Sequence, residues 1–561
     1  MSRIENLKID LKGLASIDAG KTAAAIEKAA AIQDKYSEVS KNDKDSVFLL
    51  ALEYFKQGNI IVPETLCRLI RVHHPDDLAN LNLLATLASK AGKFELAVSF
   101  LIRCLEINPN LPIFHFDLAN ALFQVGNYPP ALKECDYLLQ FAPDHLETVS
   151  LKAAILVKIG AFEKAAELYE KLISAHPQNA TLQLRYGVSL RILGRTSEAI
   201  KAFNKALQLA PELGEAYWNL ANLKTYAFSD AEIGSITHLL SESNNDTANV
   251  SYLNFALGKA LEDKGEYARS FSYYQQANII IKESHNYQSA ETSEMVKANK
   301  AVFNTAFFND RVPHGSQANS PIFIVGLPRS GSTLLEQILG SHSLVDPTME
   351  LTEMTSMVRS INNLEYQGKI PGFPQVVSHL SNEELENFGN EFIRRTKIYR
   401  QNGTYFIDKT PHNFLYIGLI LAILPNAKII DARRDPMACG FSIYKQHFAK
   451  GHRFSNSLED IGHYYRDYLE LMDHWNSVFQ GKILTVQYEE LIQDVNAGVR
   501  NMLDFCGLEF EQACVDFHKN TRAVATVSSE QVRQPVYTKA IEHWKHYSDF
   551  LGPLKDVLYS G

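Results

Sequence analysis

Two hydrophobic rhythms divide the chain. Over residues 45–211, apolar positions recur at helical spacing, and three residue types punctuate them at one fixed step. Pro75, Pro109, Pro143, Pro177 and Pro211 stand 34 residues apart; Gly58, Gly92, Gly126, Gly160 and Gly194 keep that step, and so do Ala97, Ala131, Ala165 and Ala199. The pattern predicts five helical hairpins. The glycine sits at the turn between two helices, the alanine is small because the helices touch there, and the proline, lacking an N–H, ends the second helix. Tyr169 and Phe203 fill the seam between helices, and Cys67 and Cys135 occupy the same repeat position. Residues 212–225 read as the first helix of another unit, and 226–245 lack the marks. Residues 251–281 read as a last pair, with Gly265 at the turn and Ala277 on the second helix. Residues 1–44 are helical in composition, with an Ala-rich run over 22–32, and are expected to cap the array.

Past residue 320 the rhythm changes. The stretch 309–320 is polar, carries a glycine and a proline, and marks a boundary. Residues 322–325 are an apolar run that suits a buried parallel strand. A glycine-bearing turn follows over 326–332. An amphipathic stretch then starts at Thr333, with Leu334, Leu335, Ile338 and Leu339 on one helix face. Residues 405–408, 428–432 and 483–486 read as three more strands. They end at Lys409-Thr410-Pro411, at Arg433-Arg434-Asp435-Pro436 and at Gln487-Tyr488-Glu489-Glu490. The expected fold is multidomain. A helical cap (1–44) precedes an all-α solenoid (45–308; clear repeats 45–211, degenerate 212–283). A linker (309–320) leads to an α/β parallel-sheet domain with a P-loop-like turn (321–561).

A length of 561 residues suits two to four domains. A net charge of −9 gives no reason to expect nucleic-acid binding, so any anion site must be a local basic pocket in an acidic protein. No apolar run reaches the roughly 18 residues that cross a membrane, and residues 1–18 lack a signal-peptide core. None of the six cysteines forms a C-x-x-C pair, and no His/Cys cluster has zinc spacing. They read as small buried hydrophobes in a reducing, cytoplasmic compartment, with no metal expected.

Strand, glycine loop and helix together form the layout of a phosphate-binding loop. Gly326 and Gly331 have the spacing of Gly-x-x-x-x-Gly-Lys-Ser/Thr, but Ser332 stands where a nucleotide triphosphatase places its lysine. The loop's cation is Arg329. It therefore suits an anion held by backbone N–H groups, by the Ser330, Ser332 and Thr333 hydroxyls and by one guanidinium, without a Mg²⁺-triphosphate clamp. In open α/β sheets the ligand lies at the carboxyl ends of the strands. The loop, Lys409, Arg434 and Tyr488 all fall there, which predicts one cationic pocket built from four strand ends.

The 34-residue unit resembles the tetratricopeptide repeat, whose solenoids hold a peptide or partner protein in a concave groove. The C-terminal motifs resemble sulfotransferases that use 3′-phosphoadenosine 5′-phosphosulfate. Within that superfamily they are most similar to the tyrosylprotein sulfotransferase branch and its bacterial relatives with tetratricopeptide repeats. The resemblance implies that residues 328–333, including Arg329, Ser330, Gly331, Ser332 and Thr333, take the 5′-phosphosulfate. It pairs Arg434 with Ser442, eight residues on, at the 3′-phosphate. Glu350 becomes the general base, with Glu353 one turn further as its rival. Lys409 meets the leaving phosphate or the transferring sulfuryl group, and Tyr488 and Ser528 face the cosubstrate. Ser528 aligns slightly better than Ser529 within the stretch 528–537.

The implied reaction is sulfuryl transfer to an acceptor hydroxyl, with a protein or peptide tyrosine presented by the repeats. A carbohydrate or small-molecule acceptor, with the repeats serving assembly, is the alternative. The Arg-Lys-Gly motif of the cytosolic enzymes is absent. Expected partners are a polypeptide in the groove and a second copy in a homodimer; no nucleic acid, membrane span or metal is expected. Ser332 disfavours a kinase or other nucleotide triphosphatase. Glu350 and Lys409 argue against a scaffold that only senses nucleotide. Tyr464, Tyr465, Tyr468, His463 and His474 share a helical stretch and read as packing residues.

Overall fold

The computed structural model describes residues 3–15, 22–223, 225–242, 246–309, 315–362, 372–448, 451–526, 529–535 and 541–559. The chain divides into two compact units, Met1–Lys158 and Ile159–Gly561.

The first unit is helical throughout its described residues. Two helices, Arg3–Ala15 and Thr22–Asn42, lead the array and are tied by Tyr36, whose hydroxyl donates to Asp10 at 2.7 Å. Hairpins follow, among them Leu78–Lys90 with Phe94–Ile107 and Pro112–Val125 with Tyr128–Phe141. Their punctuation has the physical basis expected. Gly58, Gly92 and Gly126 adopt φ of 81°, 71° and 87°, a left-handed turn that side chains with a Cβ resist. The helices Phe94–Ile107 and Tyr128–Phe141 end two residues before Pro109 and Pro143. A proline excludes the residue ahead of it from helical backbone, and Asn108 accordingly takes φ −138° and ψ 91°. Ala97, Ala131, Cys67, Cys104 and Cys135 are all buried.

The second unit begins with the same pattern. Phe162–Ala175, Ala180–Ile192 and Thr196–Leu209 continue it, with Gly160 and Gly194 again left-handed at 81° and 75°. Gly-to-ring contact sets the helix spacing here: a Cβ on Gly187 would lie 2.5 Å from the Phe203 ring. Gly214–Asn222 is the expected extra first helix, and the unmarked stretch after it holds one helix, Asp230–Ser241, started by a Ser229/Glu232 capping box. The last pair is Thr247–Asp263 and Tyr267–Glu283, with Gly265 at φ 75°.

Five parallel strands follow: β1 (Pro321–Gly326), β2 (Val345–Met349), β3 (Tyr405–Asp408), β4 (Lys428–Arg433) and β5 (Ile483–Gln487), in the order β2-β3-β1-β4-β5. Both faces are covered. Ile322 and Ile324 pack with Ile407, Ile430 and Val486 on one side, while Phe323 and Val325 join Phe406 and Ile429 on the other. This explains the unbroken apolar run in β1. β2 escaped the sequence reading because Val-Asp-Pro-Thr-Met is neither apolar nor alternating; proline is tolerated there because β2 is an edge strand. Of the polar stretch 309–320, residues 310–314 lie outside the described residues, and Ser316 N–H donates to the Ile423 carbonyl at 2.9 Å.

The last solenoid pair is joined to the α/β layer by a buried carboxylate. Glu262 accepts from Lys445 Nζ at 2.9 Å, from the Tyr547 hydroxyl at 3.2 Å and from the Tyr274 hydroxyl at 3.4 Å, and His543 Nε2 stands 3.8 Å away. Asn278 adds a donor to the Tyr444 carbonyl at 2.8 Å, and Phe271 stacks on Phe550. Burial alone would raise the Glu262 carboxyl, but Lys445, His543 and Lys259 outweigh it and hold it down at about 2. A carboxyl depressed below its ordinary 4.5 adds stability that is fully present above that value and is lost as pH falls toward about 2. Thermal unfolding should therefore show a falling melting temperature between about pH 4.5 and 2. The variant Glu262→Gln, which leaves Lys445 buried without its counter-charge, should lose about 3–5 kcal/mol near pH 7 and flatten that acid limb.

Candidate active site

The site forms where the carboxyl ends of β1 and β4 meet. Gly326 pairs in register with Ala432, and a Cβ on Gly326 would lie 2.4 Å from the Ala432 carbonyl oxygen. Only glycine lets the loop leave β1 this close to β4. The loop then turns through Arg329, at φ 68°, and Gly331, at φ 102°, into the helix Ser332–Leu339. A Cβ on Gly331 would come 2.7 Å from the Tyr488 ring, so this glycine also fixes how closely the loop approaches the end of β5. Beyond β4, Asp435 caps the helix Pro436–Tyr444 by accepting from Ala438 N–H at 2.8 Å, with Pro436 at its first position. That cap leaves Arg434 at the strand end and carries Ser442 two turns along the helix.

Three contacts lock these parts together. Arg329 Nε donates to Ser442 Oγ at 3.1 Å, Arg434 Nη1 donates to the Arg329 carbonyl at 3.2 Å, and the Arg434 guanidinium lies 5.0 Å from the centre of the Tyr488 ring. Tyr465 donates to the Arg434 carbonyl at 2.6 Å. The result is a cavity of about 360 Å³ lined by Arg329, Gly331, Ser332, Thr333, Arg434, Ser442 and Tyr488. Seven of the sequence-derived candidates therefore share one cavity. Ser330 does not line it: its hydroxyl is buried, with no hydrogen-bond partner among the described residues. Ser528 lies outside the described residues, but Gln531, Val532 and Gln534 of the same stretch line the cavity.

Glu350 and Lys409 form a second station. Glu350 directly follows β2 and Lys409 directly follows β3, so all five strand ends carry candidate chemistry, one more than the sequence suggested. Lys409 Nζ donates to Glu350 Oε1 at 2.5 Å; the lysine is fully buried and the glutamate side chain is 51% exposed. Neither lines the cavity. The rival Glu353 is buried, accepts from Tyr399 at 2.6 Å, and is pushed above the usual carboxylate range by that burial. A buried, protonation-prone carboxyl turned toward Tyr399 suits packing better than proton abstraction from solvent-side substrate. Arg433 pairs with the buried Asp431 at 2.8 Å, a structural contact. The helix Leu458–Val478 likewise presents Tyr464, Tyr465 and Tyr468 as buried residues.

The cavity has further walls that the sequence did not mark. Lys259, Glu262 and Asp263 come from the last solenoid pair, Lys445 from the turn after the Ser442 helix, and His543 and Trp544 from the C-terminal segment. Lys445 stands three residues after Ser442, so helical spacing placed it on the same face. Lys259 and Trp544 carry no such local signal. Arg329, Arg434, Lys259 and Lys445 face two carboxylates, and burial holds His543 down at about 4, leaving it uncharged near neutrality. The balance is positive in a chain of net charge −9, as an anion site requires. The helix N-terminus at Ser332 adds to it. Among the described residues no group of His, Cys, Asp and Glu is arranged to hold a metal ion.

Comparison with known proteins agrees with this division of labour. Residues 321–512 match the model of the Sulfotransferase family, and residues 78–111 and 151–213 match models of the Tetratricopeptide repeat. The chain carries a sulfotransferase-family domain and tetratricopeptide repeats. It is 31% identical over 423 residues to an uncharacterized protein of Aquifex aeolicus, covering 74% of this chain and 55% of that protein, so it spans only about half of that relative's length. It is 25% identical to protein-tyrosine sulfotransferase A of Caenorhabditis elegans, over 42% of this chain and 63% of the relative. It is 23% identical to omega-hydroxy-beta-dihydromenaquinone-9 sulfotransferase Stf3 of Mycobacterium bovis, over 46% of this chain and 81% of the relative.

One titration follows from the geometry just before Lys409. Asp408 is fully buried at the end of β3 and accepts from Thr410 Oγ1 at 2.7 Å and Asn413 Nδ2 at 3.2 Å. Burial, helped by Glu353 and opposed by the two hydrogen bonds, raises it to about 8. A raised carboxyl contributes stability that is full below its ordinary 3.8 and is lost as pH rises through about 8. Melting temperatures from pH 6 to 9.5 should fall more steeply for the native chain than for Asp408→Asn, which has no proton to lose. Parallel curves would place the proton elsewhere.

Proposed function

Taking a sulfotransferase-family domain joined to tetratricopeptide repeats as the premise, we propose that the chain transfers a sulfuryl group from 3′-phosphoadenosine 5′-phosphosulfate to an acceptor hydroxyl, and that the acceptor is a tyrosine of a protein or peptide. The observation that carries the reading is the Arg329–Ser442–Arg434 cluster beneath a glycine loop without the triphosphatase lysine. It supplies two guanidiniums and a helix N-terminus for a nucleotide that is anionic at both ends, while the loop has Ser332 in place of the lysine that a Mg²⁺-bound terminal phosphate requires. The buried hydroxyl of the loop's own Ser330, which has no hydrogen-bond partner among the described residues, is consistent with a loop shaped for an added acceptor group.

The residues divide the work as follows. Residues 329–333 hold the 5′-phosphosulfate through backbone N–H groups, hydroxyls and Arg329. Arg434 and Ser442 hold the 3′-phosphate, and Tyr488 supports the Arg434 guanidinium with its ring face. The acceptor oxygen forms a bond to sulfur while the bond from sulfur to the 5′-phosphate oxygen breaks, and that oxygen keeps the electron pair. Glu350 takes the acceptor proton. Lys409 meets the charge that develops on the leaving oxygen and the sulfuryl group. Like phosphoryl transfer, the step asks for positioning and charge stabilisation more than covalent work. A phenol, with its pKa of about 10, yields its proton to a single carboxylate more readily than an aliphatic hydroxyl does. The relative from Caenorhabditis elegans and the repeats support the polypeptide acceptor, and the relative from Mycobacterium bovis keeps a small-molecule hydroxyl as the competing one.

Calorimetric titration tests the donor site. Adenosine 3′,5′-bisphosphate should bind without metal and in preference to ATP with Mg²⁺, and Arg434→Ala should weaken it by about tenfold to a hundredfold, the worth of charged hydrogen bonds. Preference for ATP with Mg²⁺ would point to phosphoryl transfer and overturn the reading. For the chemistry, Glu350→Gln should lower the rate of transfer by about 10²- to 10⁴-fold with bisphosphate affinity unchanged, and, because it leaves the buried Lys409 ammonium without its counter-charge, should lower the melting temperature as well. An undiminished rate would remove Glu350 from the mechanism. Tyrosine peptides and small-molecule alcohols with a terminal hydroxyl, assayed side by side, decide the acceptor class.

A further inference from the structure

The helix Thr247–Asp263 belongs to the last solenoid pair, yet three of its side chains line the same cavity as Arg329, Arg434 and Ser442. A small crevice of about 20 Å³ repeats the association: Lys259 and Lys445 share it with Arg329 and Ser442. Lys259 thus borders the Arg329–Ser442 hydrogen bond from two openings.

The two lysines differ in how their charge is met. Lys445 is bound to the buried Glu262 at 2.9 Å, inside a cluster that also takes Tyr547 and Tyr274. It is committed to holding the hairpin in place. Lys259 bonds Asp263, one turn along its own helix and 37% exposed, and stands 4.0 Å from Glu262. This pair lies within one helix turn with its Asp263 end open to solvent, so a more highly charged anion in the cavity can compete for the Lys259 ammonium. Burial lowers the Lys445 proton affinity, Glu262 opposes this, and the Lys259 and Arg329 cations add to it, so the charges sense one another across the cavity. Arg329, Arg434, Lys259 and Lys445 thus line one open space together with Glu262 and Asp263.

We infer that Lys259 is a ligand for the 3′-phosphate held by Arg434 and Ser442, so that the last solenoid pair is a wall of the donor site rather than a segment of the partner-binding groove. The inference rests on the sulfotransferase reading. A phosphate monoester carries about −1.5 to −2 charges at neutral pH. Arg329 serves the loop and one guanidinium remains, so Arg434 alone leaves that charge incompletely matched; Lys259 completes it.

The test compares adenosine 3′,5′-bisphosphate with adenosine 5′-monophosphate, which lacks only the 3′-phosphate, on the full chain. The native protein should bind the bisphosphate more tightly. Lys259→Met keeps the apolar stem and should lose about tenfold or more in bisphosphate affinity, the worth of one charge-assisted contact, with monophosphate affinity unchanged. Lys259→Arg should keep the preference. Equal loss for both ligands, or no loss for either, overturns the assignment. A native protein that does not prefer the bisphosphate instead overturns the sulfotransferase reading, and the inference with it. A second measurement needs no variant: on the native protein, the bisphosphate should slow acylation of the Lys259 amine and the monophosphate should not. Equal protection by both removes Lys259 from the 3′-phosphate.

Discussion

The close approach of β1 and β4 is the constraint on which the site depends. Gly326 faces the Ala432 carbonyl at a distance no side chain tolerates, and the loop that leaves it falls directly onto the end of the neighbouring strand. This is the place in the sheet where the chain changes direction: β2 and β3 lie to one side of β1, and β4 and β5 to the other. Where the strand order reverses, the connections leave neighbouring strand ends in opposite directions, and a crevice opens outside those carboxyl ends. Arg329, projecting from the loop, reaches Ser442 on the helix after β4, and Arg434 reaches back to the Arg329 carbonyl. Each half of the site is thus braced by the other. Hydroxyl, carbonyl and ring-face contacts orient the two guanidiniums.

What was legible in the sequence was local. Left-handed glycines and helix-ending prolines obey rules that span a few residues, so the 34-residue ladders translated directly into hairpins, and the apolar run in β1 into a doubly covered strand. The loop was legible for the same reason, and so was Arg434 at a strand end; the pairing of Arg434 with Ser442 came from the family resemblance, and the Asp-Pro helix start shows how the chain places the two. The strand β2 was hidden because an edge position relaxes the demand for apolar alternation, and with it went the recognition that Glu350 also sits at a strand end. Lys259, His543 and Trp544 were hidden for a deeper reason. They reach the cavity from segments distant in sequence, and no periodicity in their own elements distinguishes them from surface residues.

Glu262 shows how such a tertiary contact is stabilised. A carboxylate this buried is unfavourable unless it is matched, and here Lys445 and the hydroxyls of Tyr547 and Tyr274 match it. The match requires the hairpin, the helix after β4 and the C-terminal segment to be present together. Non-covalent charge matching of this kind gives little net stability compared with an apolar replacement, but it specifies one arrangement, since any slip leaves an unpaired ion in low dielectric. The hairpin therefore sits under two demands: it keeps the turn glycine and the small alanine of the repeats, Gly265 and Ala277, and its inward residues must also complete the charge cluster.

The Glu350–Lys409 pair poses a different electrostatic problem. A fully buried ammonium with a half-exposed carboxylate is held in place by its partner, yet a base and a cation that neutralise each other are of little use to a reaction. In the proposed reaction the arriving donor resolves this. A sulfuryl group drawn toward Lys409 offers the ammonium a second set of oxygens, and the Glu350 carboxylate, already on the exposed side, turns toward the acceptor hydroxyl. In that reading the pair is a stored arrangement: each side chain orients the other until substrate separates their roles. Burial of Lys409 matters to this step because the interaction of a cation with developing negative charge strengthens as water is excluded. The exposure of Glu350 matters equally, since the proton it receives must afterwards leave to solvent.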